Sequence, residues 1–124
     1  MKKFKVVVTR VSEYEVEVDE TIWNAQEQKN WEKAFYRLPF YSDDNEDPDT
    51  EAAGGFAEAL AKESCNQGLY SFIEGFGYCV SSKEDADMYD AYASEHKVGY
   101  RCTRGLYINE TDTDYICDTK EIKE

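Results

Sequence analysis

A chain of 124 residues has the usual size of one domain, so residues 1–124 are read as a single core. Its 14 Lys and Arg against 27 Asp and Glu give a net charge of −13, divided as 8 against 14 over residues 1–62 and 6 against 13 over 63–124. A uniformly negative field repels nucleic-acid phosphates and anionic lipid headgroups and steers basic proteins inward, which excludes direct nucleic-acid and membrane-surface binding from the expected functions.

Met1 to Lys5 are not expected to open an export leader, and no apolar run approaches the roughly eighteen residues of a membrane span. The chain is expected in the cytoplasm, with Cys65, Cys79, Cys102 and Cys117 as reduced thiols.

In chain order, Phe4, Val6 and Val8 and then Tyr14, Val16 and Val18 alternate with polar residues, a period of two that predicts a β-hairpin turning near Val11, Ser12 and Glu13. Thr21 is read as the cap of a first helix in which Trp31, Ala34, Phe35 and Leu38 share one stripe, ended by Pro39. Residues 42–50, SDDNEDPDT, cannot pack and are read as a solvated acidic loop.

Asp49 or Thr50 is expected to cap a second helix, with Ala53, Phe56, Ala57 and Leu60 inward and an end before Gly68. Residues 69–81 predict two short strands about a glycine turn. Ser82 with Asp85 resembles a capping box opening a third helix to about Glu95, with Ala86, Tyr89 and Ala93 inward. Strands at Val98–Thr103 and Leu106–Ile108, a polar turn NETDTD and a strand at Tyr115–Cys117 complete the reading, with a frayed tail from Asp118. Together these elements predict an α+β domain: a mostly antiparallel sheet built from hairpins, with about three helices packed on one face.

No recognised catalytic pattern stands out. The acidic loop invites a calcium reading, but in a count from Asp43 an EF-hand would need glycine where Pro48 stands and glutamate where Gly54 stands. The cysteines form no Cys-x-x-Cys knuckle, so no metal or cofactor is expected. His96, the only histidine, is read as closing the third helix, where a cation is welcome. GGF at 54–56 and GFG at 75–77 match no phosphate loop.

Ten tyrosines beside many carboxylates are the composition of a protein-binding surface. Tyr36, Phe40 and Tyr41 lead into Asp43, Asp44, Glu46, Asp47 and Asp49, and a second acidic stretch holds Glu110, Asp112 and Asp114; these are the candidate partner-binding residues.

The leading expectation is a non-enzymatic protein that docks on a basic partner protein, as a nucleic-acid mimic or an inhibitor of a host nucleic-acid-binding or defence protein. In size and charge the chain resembles the compact acidic proteins of mobile elements that imitate DNA, a likeness in bulk properties alone. The second reading is a small enzyme or ligand-binding domain with an aromatic-lined cleft and Glu74, His96 or a cysteine as reacting group. The third is a self-associating accessory domain, in which an open strand edge, the last strand being the candidate, forms a homodimer.

Overall fold

The computed structural model describes residues 1–39 and 47–123. The elements follow as β1 (Lys3–Val18), α1 (Ala25–Ala34), α2 (Pro48–Gln67), β2 (Phe72–Ile73), β3 (Gly77–Val80), α3 (Lys83–Glu95) and β4 (Cys102–Ile122). This is the α+β class expected. The four-stranded sheet has the order β1-β4-β3-β2 and is mixed: β1 with β4 and β2 with β3 run antiparallel, and β3 with β4 run parallel.

Two expected hairpins are absent, for one reason. Neither Val11–Glu13 nor the stretch 109–114 contains a glycine to reverse the chain, so each alternating run simply continues as a strand. β1 extends over 16 residues and β4 over 21, and they pair from Lys3 opposite Ile122 to Val18 opposite Leu106. A single register shift between Glu13 and Tyr14 leaves Thr111 as the extra residue. The tail expected to fray from Asp118 is therefore paired as far as Ile122.

Helix starts follow their side-chain caps. Asn24 caps α1 by accepting from the Glu27 amide at 3.0 Å, whereas Thr21 is tied back to the Asp19 carboxylate. Asp47 caps α2 through the Thr50 amide at 2.9 Å, with Pro48 in the first turn, so the helix starts ahead of the expected caps Asp49 and Thr50. Ser82 caps α3 through the Asp85 amide as predicted. α1 stops at Ala34, ahead of Pro39, but Leu38 still reaches the core, its amide held by the Glu32 carboxylate at 3.2 Å.

α1 and α2 cover one face of the sheet. Trp23, Trp31, Phe56, Leu60, Phe76, Leu106 and Ile108 form its core, with Trp31 edge-on to Phe56 at 5.8 Å and Trp23 edge-on to it at 5.0 Å. Such ring pairs contribute roughly 0.5–1.5 kcal/mol each beyond area burial. Gly75, at φ +90°, closes the β2–β3 turn directly under this cluster.

α3 takes the other face, a departure from the one-sided helix layer expected. Successive residues of a strand point to opposite sides: Cys79 enters the first core, while Val80 joins Ala86 of α3 and Cys102 in a smaller one. Tyr89, expected inward, is 51% exposed. No helix among the described residues is long and apolar enough to cross a membrane.

Candidate functional site

Because α3 buries only a small patch of its face of the sheet, an open cleft remains beside it. Tyr70, Tyr78, Val80, Ser81, Asp85, Tyr89, Tyr100 and Cys102 line a volume of about 410 Å³. Tyr78 and Val80 project from the same side of β3, and Asp85 and Tyr89 are one helical turn apart on α3, so both elements present these side chains to one space.

The tyrosines are held in different ways. Tyr78 packs against Tyr100, ring centroids 4.6 Å apart, and against Phe72 at 5.3 Å. Tyr70 adopts φ +61°, a left-handed conformation that costs a side-chain-bearing residue energy, and its hydroxyl lies 2.6 Å from Ser81 Oγ.

A separate ionic lock fixes the far side of α3. Arg104 bridges Asp87 and Asp90, and Asp90 also accepts from the Cys102 amide at 2.7 Å. Burial opposes the charge on Asp90, but the Cys102 N–H and the Arg104 guanidinium outweigh it and hold the carboxyl below its usual range. Asp85, in the first turn of α3, has no ion-pair partner among the described residues, so the cleft holds one carboxylate without a cationic side chain among four rings.

Burial pushes the Cys102 thiol up and the nearby Asp90 carboxylate adds to the effect. At neutral pH the floor of the cleft is thus a thiol and not a thiolate. His96 and Glu74 lie elsewhere: His96 closes α3 as expected, stacked on Tyr92 at 4.0 Å with Nδ1 3.0 Å from the Tyr92 carbonyl oxygen, and Glu74 borders a shallow depression with Ala34, Phe35 and Tyr36. The four cysteines form no single cluster, although Cys102 lies near enough to Cys79 to help raise its thiol pKa. Cys79 is in the α1–α2 core, Cys102 on the opposite face, and Cys117 exposed on β4. Among the described residues no three of His, Cys, Asp and Glu are placed to share a metal ion.

Of the partner-binding residues expected from sequence, Phe40, Tyr41, Asp43, Asp44 and Glu46 lie outside the described residues. Tyr36 stands edge-on to Trp31 at 4.9 Å, and burial with the neighbouring Glu63 raises its phenol pKa. Asp47 and Asp49 are engaged at the start of α2, Asp47 as its cap and Asp49 accepting from the Ala25 amide at 3.0 Å. Glu110 is paired with Arg10 at 2.8 Å, and Arg10 also reaches the Cys65 carbonyl near the other end of α2. A 20-residue helix is about 30 Å long, so these two acidic groups sit at opposite ends of it. Asp112 and Asp114, expected in a turn, lie within β4, opposite Glu13 and Val11.

The tyrosine set of the cleft was not singled out from sequence. Its signals are faint: the one-turn spacing of Asp85 and Tyr89, and the alternation of Tyr78 and Val80. Tyr70 and Tyr100 come from loops, where no periodicity marks them. No protein-family model, curated protein or solved structure matches the chain.

Proposed function

We propose that this domain is a non-enzymatic interaction module that holds a basic partner protein by inserting one of its cationic side chains into the tyrosine cleft. The observation that carries the reading is the grouping of Tyr70, Tyr78, Tyr89 and Tyr100 with Asp85, which has no ion-pair partner among the described residues. Ring faces are negative, and a cation within about 6 Å of one gains roughly 0.5–2 kcal/mol, more when desolvated. Asp85 supplies the full charge, and the net charge of −13 supplies long-range steering that salt weakens. The protonated Cys102 at the floor suits binding better than nucleophilic chemistry.

The mimicry version of this reading, in which carboxylates form one continuous strip, gains nothing from Asp47, Asp49 and Glu110, since they lie at opposite ends of α2. The cleft itself favours a second reading, a small cationic ligand in place of a protein side chain, because about 410 Å³ falls within the range of small-molecule sites.

The test is titration of the domain with a lysine- and arginine-rich peptide, its methylated-lysine form and free tetramethylammonium, followed by tyrosine resonances. Peptide binding that Tyr78→Ala and Asp85→Asn each weaken supports the module. Tight binding of the free ammonium ion alone supports the second reading, and binding unaffected by both substitutions refutes the site.

A further inference from the structure

β1 is one edge strand of the sheet, and its outer edge has no backbone partner among the described residues along Lys3–Val18. Its first half also stands clear of the helices: Phe4, Val6, Val7, Val8 and Val11 are all about half exposed. A long open edge of this kind, apolar over its first half, is a template for another strand.

The charges along β1 say which strand. Residues 1–8 carry Lys2, Lys3 and Lys5 and no acid, and residues 13–19 carry Glu13, Glu15, Glu17 and Asp19 and no base. A strand that is positive at one end and negative at the other complements itself when antiparallel. Lys3, Lys5, Glu13 and Glu15 also share one face, since side chains alternate. In the register that sets Thr9 opposite Thr9 of a second copy, Lys3 meets Glu15, Lys5 meets Glu13 and Val7 meets Val11, each twice by symmetry, while Phe4 falls beside Tyr14 on the other face. A shift by one residue would oppose unlike faces and break every pair.

We infer that β1 is a homodimerisation edge, pairing antiparallel with β1 of a second copy about a two-fold axis through Thr9 to give a continuous sheet β4-β1-β1-β4. Such an interface is isologous and closes at two copies. The sequence had pointed to the last strand as the pairing edge. β4 is open beyond its short contact with β3, but over residues 112–121 it carries Asp112, Asp114, Asp118 and Glu121 against Lys120, so two copies of it repel.

Sedimentation equilibrium on the full chain at low and high salt tests this with paired charge reversals. The wild type sediments as a dimer whose dissociation constant rises with salt, and Lys3→Glu with Lys5→Glu, or Glu13→Lys with Glu15→Lys, each raise it by about tenfold or more. Mixing the two variants restores a dimer, because positions 3, 5, 13 and 15 are then all acidic on one β1 and all basic on the other, and the chain bearing all four reversals dimerises like the wild type. Circular dichroism confirms that each variant is folded. A monomeric wild type at low salt, or a dimer that neither reversal weakens and the mixture does not strengthen, overturns the assignment.

Discussion

The indole N–H of Trp31 donates to the Gly75 carbonyl across 2.9 Å, and the same ring lies where a side chain at position 75 would begin. α1 is thereby fastened to the β2–β3 turn by a hydrogen bond that requires glycine twice, for φ +90° and for the close approach of the ring.

Gly75→Ala therefore loses stability. Its Cβ would stand 2.8 Å from Trp31 Nε1, and the combined backbone strain and overpacking cost about 2–4 kcal/mol. Urea unfolding followed by tryptophan fluorescence measures the loss; a cost under about 0.5 kcal/mol would mean that the indole swings aside freely.

Tyr14→Phe is expected to change stability by less than about 1 kcal/mol, because the buried Tyr14 hydroxyl lies beside Ser12 and Cys65 but makes no hydrogen bond of ordinary geometry among the described residues. The same unfolding experiment decides it. A clear destabilisation would show that the hydroxyl has a partner.

Thiol reactivity should separate three of the four cysteines. Cys117 is exposed, whereas Cys79 is buried and its thiol pushed up to about 11, and Cys102 is raised in the same direction. Alkylation of the native protein with mass-spectrometric readout should modify Cys117 readily and leave Cys79 and Cys102 until denaturant is added. Fast native labelling of Cys79 would contradict its place in the core.

Acid should weaken the fold through particular carboxylates. Thr21 holds Asp19, the Thr50 amide holds Asp47 and the Thr113 hydroxyl with Arg10 holds Glu110 below their ordinary values of 3.8, 3.8 and 4.5, as the Cys102 amide and Arg104 do for Asp90 against burial. A carboxyl depressed by folding stabilises fully above its unfolded pKa and loses that contribution as pH falls through the folded one. Stability should thus drop between about pH 5 and pH 2. Asp90→Asn, lower at neutral pH, should fall less steeply across that range, and parallel curves would deny Asp90 this part.

Local chemistry carried most of what was readable in the sequence. The cap of α3, the inward face of α2, the glycine turn of β2–β3 and the place of His96 all depend on residues within a few positions of one another. What escaped depends on distance. Lys3 and Ile122 are paired across nearly the whole chain, and nothing in either neighbourhood names the other, so two alternating runs looked like two hairpins. The split of the helices across both faces turns on Cys79 and Val80, one residue apart and alike in being apolar. The cleft escaped for both reasons, drawing Tyr70 and Tyr100 from loops and Tyr78, Asp85 and Tyr89 from elements that meet only in the folded sheet.

The pairing of β1 with β4 also sets an order of events. Among the described residues, 3–18 pair as a strand only with β4, so during synthesis their backbone waits without a strand partner until residues 102–122 emerge. Contacts of such long sequence separation close slowly. The helices and the β2–β3 turn can assemble beforehand, which makes docking of the first strand the late step of maturation and the waiting segment the point where a chaperone would be needed most.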